Sequence, residues 1–386
     1  MRVLFLTTRL PHPPRRGDQV RAWHLLKGLG SRHEVTCVAV VRGRPDDRDV
    51  ARVRSLGVGV ELVVRSRIGD PAAVARGVTD RRPFQVLLHD RRRSRRAVAE
   101  LASSLDVDLV HAQMVRAADL APDGVPLVID LIDAMSTNLA RRGQMERGPL
   151  APVARREAAR LRQHEARSIG RAAASIVVTD HDKGALGDVP IVVPNGVDLD
   201  ELAFRDGDRD RSLIVFGGAL SYFPNVDAVT HLATEVFPTI RSHIPDARLR
   251  VVGARPTRVV RRLGRLAGVT VVPDVPSMVP EVGAAAVSVI PMRAGSGMQN
   301  KVLEAMALGT PVVTTPGVAD AIGAVDGETL RVASAPSELA MAAVEVMRDP
   351  DGSAALARRA RELVATRFRW EASVDAVDAV WRGVVG

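Results

Sequence analysis

The sequence has few of the residues on which several classes of protein depend. Its 386 residues include one cysteine, Cys37, so no disulfide bond can form within the chain and a reducing compartment is expected. Aromatic residues are only 3% of the chain, which argues against the stacking platforms of single-strand nucleic-acid binders. No stretch of about 18 uninterrupted apolar residues is present, as a membrane span would need. We therefore expect a cytoplasmic protein, either soluble or peripheral at the inner face of the cell membrane.

Lysine is also rare, although the chain is strongly basic, with a net charge of +9 and a pI of 10.9. The lysines are Lys27, Lys183 and Lys301, and the other 51 of the 54 basic residues are arginines. Much of the charge lies in three N-terminal segments, 44–54, 80–100 and 154–171. These segments suit an anionic membrane surface, phosphate-bearing ligands or solvated helix faces, and we expect no nucleic-acid partner.

Short apolar runs typical of buried strands alternate with helical patterns along the whole chain. In the N-terminal half the runs cover 2–8, 34–41, 58–65, 106–113, 125–133 and 174–180. In the C-terminal half they cover 212–219, 247–254, 269–275, 285–292, 310–315 and 328–333. Nearly continuous apolar strands separated by helices predict parallel sheets covered on both faces. The pattern indicates an α/β protein with two doubly wound, Rossmann-like domains facing a cleft.

The expected domains are 1–200, 201–370 and a final helix at 371–386 that packs on the first domain. A chain of this length is longer than one hydrophobic core usually supports. The polar segment 205–212 is interpreted as the linker. Ligands of doubly wound sheets bind beyond the carboxyl ends of the strands, which places the loops at 9–18, 111–116 and 133–138 at the functional edge.

The segment 295–313, GSGMQNKVLEAMALGTPVV, carries the strongest chemical signal. It predicts a helix over 298–308 behind a glycine-containing loop, and the N–H groups of its first turn favour an anion. Lys301 would add a compact positive charge, which differs from a guanidinium at a tight phosphate. Glu304, one turn further, would accept hydrogen bonds from a pair of hydroxyls, as on a ribose. The alternative is an ion pair between Lys301 and Glu304 that only stabilises the helix.

Five motifs in order resemble retaining glycosyltransferases of the GT-B fold (glycosyltransferase family 4). They are LPHPPRRGDQVRAWHLLKGL, DLVHAQ, VVPNGVD, FGGALSYFPNVDAVTHL and GMQNKVLEAMALGTPVV. The P-N-x-D-A-V and Q-N-K-V-L-E-A-M-A stretches resemble the sugar transferases of exopolysaccharide gene systems. The resemblance implies a hexosyltransferase that moves a sugar from a UDP- or GDP-linked donor to a saccharide, lipid-linked or small-molecule acceptor. It implies no metal and no other cofactor.

The resemblance also implies roles for residues of the donor site. Glu304 matches the second glutamate of the family's Glu-x7-Glu motif, which binds the donor's ribose. Ser296 stands where the first glutamate is usual, and GGALSYFPN lacks the Arg and Lys that hold the diphosphate in the family. Lys301 and Arg293 are therefore expected to supply the positive charge. The full predicted donor site is Gly17, Arg293, Ser296, Gly297, Met298, Gln299, Asn300, Lys301 and Glu304.

The remaining predictions concern the N-terminal half. His111 in DLVHAQ resembles the family histidine at a strand end facing the donor sugar, and a core-edge histidine is the alternative. Asp133 is predicted to position an acceptor hydroxyl, with a turn or helix-capping role left open. Asp130 and Asp133 together suggest a carboxylate pair or a metal site, and neither is favoured. Asp18 and Arg21 are predicted to contact the acceptor.

Two other functions stay open on the sequence. One is a sugar-nucleotide epimerase of the same fold, although Ser296 in place of a glutamate does not favour acid–base chemistry around the sugar. The other is a basic, membrane-associated binding protein that has lost catalytic strength, consistent with the two departures from the family pattern. The expected partners are a nucleotide sugar, a saccharide or lipid-linked acceptor and an anionic membrane surface.

Overall fold

The computed structural model describes residues 1–65, 80, 82–89, 92–145, 150–207, 209–294 and 297–386. Ser296, a predicted donor-site residue, lies outside these ranges. The chain forms two compact units. The first unit contains residues 1–194 and 370–386, and the second unit contains residues 195–369. The domain boundary expected after residue 200 thus lies a few residues beyond the observed division, which falls within the VPNG turn.

The first unit is built on a seven-stranded sheet, counted over its described residues, with the order β3-β2-β1-β4-β5-β6-β7. All of its strand pairs are parallel. The strands are β1 Arg2–Thr7, β2 Glu34–Val41, β3 Gly59–Val64, β4 Leu109–Gln113, β5 Leu127–Ile132, β6 Ala174–Val177 and β7 Ile191–Val192. The short β7 is the one strand of this sheet that the apolar pattern does not predict.

Helices connect these strands in the first unit. They are α1 Gly17–Leu29, α2 Asp47–Arg54, α3 Phe84–His89, α4 Arg92–Ser104, α5 Val115–Ala118, α6 Met135–Met145, α7 Leu150–Arg171 and α8 Asp180–Ala185. The last helix of the chain, α17 Trp370–Val385, also belongs to this unit.

The second unit is built on a six-stranded sheet in its described part, with the order β10-β9-β8-β11-β12-β13 and parallel pairs throughout. The strands are β8 Asp210–Gly217, β9 Arg248–Gly253, β10 Val269–Pro273, β11 Ala285–Ile290, β12 Val312–Thr314 and β13 Arg331–Val332. Because β8 begins at Asp210, the end of the predicted linker 205–212 is a strand; the prediction was wrong there.

The helices of the second unit begin with α9 Phe223–His231, which continues through a π-helical turn, Leu232–Val236, into α10 Phe237–His243. The others are α11 Arg258–Leu263, α12 Val279–Gly283, α13 Asn300–Ala307, α14 Pro316–Asp320, α15 Pro336–Arg348 and α16 Pro350–Arg367. No helix within the described ranges combines the length and apolar character that crossing a bilayer requires.

Both sheets are buried on their two faces, which explains the continuous apolar runs. In β1, Val3 and Phe5 point into one core and Leu4 and Leu6 into another, and all four are at most 1% exposed. Side chains of a strand alternate between faces, so a strand covered on both sides must be apolar at every position. The α/β architecture predicted from the sequence is therefore confirmed.

Each strand order reverses direction once beside the first strand of its sheet. In the first sheet the reversal lies between β1 and β4, and in the second sheet it lies between β8 and β11. At such a switch point the two loops leave toward opposite faces and open a crevice at the carboxyl ends of the strands. The described loops after β8 and β11 contain the residues singled out from the sequence.

The C-terminal helix α17 completes a core of the first unit. Trp381 is fully buried there with Phe5 and Leu25. Val374 packs so closely on α1 that a Cβ at Gly28 would lie 2.5 Å from its Cγ2. A hydrogen bond of 2.7 Å joins the Ser373 hydroxyl to the carbonyl of Pro194.

We expect Gly28→Ala to lower the free energy of unfolding by about 1–3 kcal/mol, because the added methyl overpacks the contact with Val374. Gly170 is the matched control, since it is also helical and has no atom within 4 Å of an added Cβ. Gly170→Ala should be neutral or stabilise by up to about 1 kcal/mol. Urea denaturation measures both, and equal stability of the two variants would contradict the packing described.

Candidate functional site

Lys301 lies at the switch point of the second sheet, in the first turn of α13. Its ammonium donates a hydrogen bond to Oδ1 of Asn225, the second residue of the P-N-x-D-A-V stretch. The same nitrogen lies 3.7 Å from the sulfur of Met292 and 5.2 Å from the ring centroid of Phe216. The Lys301 ammonium therefore contacts three uncharged groups: an aromatic ring, a thioether and an amide.

Asn225 is held in a fixed orientation by its own backbone contacts. It is 5% exposed, and its Nδ2 donates to the carbonyl of Ala219 at 3.0 Å, which turns Oδ1 toward the lysine. Gly218, just after β8, has a φ of +150°. A Cβ at that position would lie 2.9 Å from Nδ2 of Asn225 and 3.4 Å from Cε of Lys301. Glycine is thus required for the backbone to pass this close to both side chains.

The pKa values of Lys301 and Glu304 shift in opposite directions for one reason. Burial lowers the pKa of Lys301 to about 7, and the nearby Glu304 carboxylate only partly offsets this. Burial likewise raises the pKa of Glu304, against the attraction of Lys301. Loss of hydration disfavours the charged form of each group. An anion bound beside Lys301 would restore its charge.

The ion pair weighed as an alternative for these two residues is not formed. No nitrogen–oxygen distance of 4.0 Å or less joins Lys301 and Glu304, and within the described residues the Glu304 carboxylate accepts no hydrogen bond. Both side chains keep partial exposure. The helix begins at Asn300 and not at Met298 as predicted, and the Gln299 side chain does not cap it. Its start is therefore not capped by a side chain, and Lys301 and Glu304 do not neutralise each other.

The other predicted donor-site residues hold this loop and helix in place. Nε2 of Gln299 donates to the carbonyl of Gly297 at 3.0 Å. Oδ1 of Asn300 accepts a hydrogen bond of 3.0 Å from Asn195, which belongs to the V-P-N-G motif. Met298 packs against the core of the second unit. These contacts shape the site, and the predicted ligand contacts of the four residues stay predictions.

Arg293 is neutralised by a carboxylate. Its Nη2 and Nε donate to the two oxygens of Asp227 at 2.7 and 3.1 Å. Asp227 follows Asn225 by two residues in α9, so one motif holds both basic residues of the site. Since the charge of Arg293 is already compensated, Lys301 is the stronger candidate for a diphosphate.

In the first unit, Arg21 turns inward and not toward an acceptor, so its predicted position was wrong. Both Arg21 and Asp130 are fully buried, and Nε of Arg21 lies 2.6 Å from Oδ2 of Asp130. Nη1 of Arg21 also donates to the carbonyl of Val193 at 3.1 Å. This ion pair uses Asp130 inside the fold, which also removes the suggested Asp130–Asp133 pair.

His111 is an interior residue, so its predicted place at a strand end was also wrong. Strand β4 continues to Gln113, and the His111 ring is fully buried between Phe5 and Trp381. Nε1 of Trp381 donates to Nδ1 of His111 at 3.1 Å. Burial lowers the pKa of His111 to about 4, so the ring is neutral at ordinary pH. The core-edge alternative describes this histidine.

Asp133 follows β5 at the carboxyl edge of the first sheet, and its surroundings disfavour the ionised carboxylate. Burial and the neighbouring Asp182 and Glu165 raise its pKa to about 7. Its Oδ2 accepts a hydrogen bond of 2.9 Å from Asn138, while Oδ1 has no partner among the described residues. Within the described ranges, no three His, Cys, Asp or Glu residues are grouped as a metal site would need.

Gly17 and Asp18 open helix α1 at the same edge. Gly17 is exposed, with no atom within 4 Å of an added Cβ, so the backbone there is open to a ligand. Asp18 accepts hydrogen bonds from both Arg9 and Arg116. The carboxylate expected to meet an acceptor therefore already binds two arginines.

Several residues of the two edges were not predicted as functional from the sequence. Asn225 and Asp227 were part of a quoted motif, but their partners Lys301 and Arg293 lie 76 and 66 residues away. Gln113, whose Nε2 donates to the Asp18 carbonyl at 3.0 Å, occupies the true end of β4. The predicted run 106–113 already ended at this residue, and beginning the functional-edge loop there would have indicated it.

The two sheets, their strand orders and the likeness to solved structures define the GT-B fold, as expected. Residues 211–349 match the family model described as Glycosyl transferases group 1. The matched residues all lie within the second unit. No curated protein is significantly similar to the chain in sequence.

Solved structures are similar over nearly the whole chain. Sucrose-phosphate synthase from Thermosynechococcus elongatus has a TM-score of 0.75 and 16% identity, and 99% of each chain is covered. HepE from Anabaena, solved with UDP and glucose, has a TM-score of 0.70 and 14% identity over 99% of this chain and 100% of that one. WaaG, a glycosyltransferase involved in lipopolysaccharide biosynthesis, has a TM-score of 0.67 and 16% identity, with 98% and 99% covered. At such low identity, these structures establish the fold alone.

The raised pKa of Asp133 predicts a pH-dependent stability. Because the folded protein keeps the proton, the stability from Asp133 is complete below the unfolded pKa of 3.8 and is lost as pH rises through about 7. Asp133→Asn should therefore raise the free energy of unfolding by about 1–3 kcal/mol at about pH 8.5. At about pH 4, close to the unfolded pKa of 3.8, the gain should be small.

Urea denaturation at the two pH values measures this effect. Asp123→Asn, at an exposed position of the same unit, is the control and should show no such pH-dependent gain. A gain from Asp133→Asn that is equal at both pH values would contradict the assignment.

Proposed function

We propose that the protein is a retaining glycosyltransferase of hexosyl type that uses a UDP- or GDP-linked sugar. The observation that carries the proposal is that Lys301 and Glu304 form no ion pair with each other at the switch point of the second sheet, in the region that matches the group 1 family model. The ammonium and the first turn of α13 would bind the diphosphate, and the Glu304 carboxylate would bind the ribose hydroxyls. HepE, which has the same fold, has been solved with UDP-glucose and with UDP and glucose.

The chemistry that this site supports is stabilisation of a leaving diphosphate. As the bond to the sugar breaks, negative charge grows on the departing phosphate oxygen. In this proposal, Lys301 and the amide groups at the start of α13 attract that charge. The proposal includes a front-face attack with retention, assisted by the leaving phosphate, and requires no metal ion or other cofactor.

The acceptor would bind in the first unit, where Asp133 is the proposed residue that orients its hydroxyl. Its unpartnered Oδ1 at the carboxyl edge of the sheet supports this role. The acceptor class proposed is a saccharide or lipid-linked saccharide. Support comes from the basic segments of this unit and from the fold shared with WaaG. Polysaccharide assembly at an anionic membrane surface is the setting that fits these features.

A transfer assay with UDP- and GDP-sugars tests the reaction class, and the anomeric configuration of the product tests retention. Glu304→Gln should weaken UDP binding by about tenfold, because a neutral amide accepts hydrogen bonds from the ribose less strongly than a carboxylate. The loss should be much smaller for 2′-deoxy-UDP. Calorimetry of both ligands measures this difference.

Glu328→Gln is the control for this experiment, since Glu328 is an exposed acid of the same unit. It should bind both nucleotides like the unchanged protein. If Glu304→Gln loses the same affinity for UDP and for 2′-deoxy-UDP, Glu304 does not bind the 2′-hydroxyl. Absence of any nucleotide binding by the unchanged protein would refute the proposed function.

The pKa of Lys301 predicts how donor binding depends on pH. Because a diphosphate favours the charged lysine, affinity for a UDP-sugar should be full below about pH 7 and fall by up to about tenfold per pH unit above it. Lys301→Met should bind weakly and without this dependence. Calorimetry with UDP-glucose between about pH 6 and about pH 9 gives the measurement.

A UDP-sugar is the appropriate probe, since its diphosphate, unlike that of UDP, has no terminal phosphate that titrates in this range. Lys183→Met, in the first unit, serves as the control and should keep the pH dependence. A constant affinity of the unchanged protein over this range would show that Lys301 does not bind the donor as its ammonium.

A further inference from the structure

Arginines converge at the switch point of the first sheet, in the unit that does not contain Lys301 and Glu304. Arg9 follows β1, Arg116 lies in the short helix after β4, and Arg16 precedes α1. Asp18 in the first turn of α1 is the carboxylate between them. We call Arg9, Arg116 and Asp18 the arginine cluster. All of its residues belong to the first unit.

Arg116 is the fixed member of the arginine cluster. It is 7% exposed, and its Nε donates to the hydroxyl of Thr8 at 2.7 Å. Nη2 lies 3.4 Å from Oδ2 of Asp18 and 2.7 Å from the sulfur of Met114. Nη1 forms no hydrogen bond with any described residue and is not closed off from solvent. A buried guanidinium thus presents one free edge at the functional side of the sheet.

Arg9 adds a second, more accessible guanidinium. Its Nη1 donates to the same Oδ2 of Asp18, so one carboxylate oxygen serves two arginines. The side chain of Arg9 is 35% exposed and that of Asp18 is 13% exposed. The cluster therefore has two guanidinium groups for one carboxylate, and both guanidinium groups bind the same oxygen of Asp18.

The pKa of Arg116 shows that its charged form is disfavoured in this arrangement. Burial, followed by repulsion from Arg9, lowers the pKa of Arg116 to about 10, and Asp18 only partly compensates. Arg16 adds to the repulsion. A bound dianion would relieve this repulsion and use the free donors. Guanidinium groups suit such a ligand because their N–H groups match the oxygens of a phosphoryl group in pairs.

We propose that Arg9 and Arg116 bind a phosphoryl group of the acceptor, in competition with the Asp18 carboxylate that they bind in its absence. That the bound group belongs to an acceptor rests on the proposed function. That an anion binds here rests on the arginine cluster. It narrows the acceptor to a phosphorylated sugar or a lipid-linked saccharide diphosphate. Those two sources share the same chemistry at the site.

Inorganic pyrophosphate is the probe, added to the full chain whose nucleotide site is first saturated with UDP, with calorimetry as the readout. We expect pyrophosphate to bind under these conditions. Arg9→Gln should weaken it by about tenfold or more, and Arg116→Gln by at least as much. Asp18→Asn should strengthen it by about threefold, because a competing carboxylate is removed; a purely structural role for Asp18 predicts the opposite sign.

Arg32→Gln is the matched control. Arg32 is 37% exposed and ion-paired with Asp375 and Asp378, but it precedes β2 at the opposite edge of the sheet. It should leave pyrophosphate affinity unchanged. Because Arg116→Gln removes a buried side chain, Arg9→Gln decides the result if the Arg116 variant does not fold.

Competition identifies the source of the phosphoryl group. Displacement of pyrophosphate by glucose 6-phosphate supports a soluble acceptor, and displacement by a polyprenyl diphosphate in detergent micelles supports a lipid-linked one. Displacement by neither would overturn the assignment to the acceptor. No pyrophosphate binding beside UDP, or equal affinity in Arg9→Gln and Arg32→Gln, would overturn the site itself.

A separate UDP titration keeps the two proposals distinguishable. If UDP does not bind while pyrophosphate binds in an Arg9-dependent way, the nucleotide-sugar proposal fails and the anion site stands. If UDP binds and pyrophosphate does not, the reverse holds.

Discussion

The loss of water around charged groups at the carboxyl ends of the strands is the constraint on which the described sites depend. Both faces of a doubly wound sheet are covered by helices. Polar residues at its edge therefore lie next to an apolar interior that disfavours the charged form of a side chain. Lys301, Glu304 and Asp133 all respond with pKa values displaced toward their neutral forms. A site whose own charges are poorly solvated binds a charged ligand by replacing missing water with the ligand's oxygens. The shifted pKa values of these side chains are thus a property of the fold without a ligand.

The two units meet this constraint differently. In the first unit the arginines near the sheet edge are already paired with carboxylates: Arg21 with Asp130, and two arginines with Asp18. Removing one partner of a buried pair is costly, so Arg21 contributes to the structure and not to ligand contact. In the second unit, the described partners of Lys301 are uncharged: the amide of Asn225, the sulfur of Met292 and the ring of Phe216. A neutral partner leaves the ammonium available to a phosphate, whereas Asp227 makes Arg293 much less so.

Strands, helices and the fold class were predictable because apolar runs report burial, and burial on both faces is a local property of sequence. The position of Lys301 and Glu304 on one helix was also predictable, since both lie within a single turn of each other. Arg21 was not, because its partner is 109 residues away and only the strand order brings them together. His111 was misplaced because the functional-edge loop was expected to begin at residue 111, although the predicted run 106–113 and the observed β4 both end at Gln113. Asn225 was visible as a motif but had no assigned partner for the same reason as Arg21.

The path of the chain between the units has a consequence for how the protein is made. The second unit is one continuous stretch whose ends are fastened to each other, with the N–H of Val197 donating to the carbonyl of Phe368 at 2.9 Å. The first unit is discontinuous and lacks Val374 and Trp381 until the last helix has been synthesised. On the ribosome, the part begun first is therefore finished last, and its core around His111 stays open while the inserted part folds. We therefore expect chaperones that bind exposed apolar surface to bind the N-terminal half of this chain.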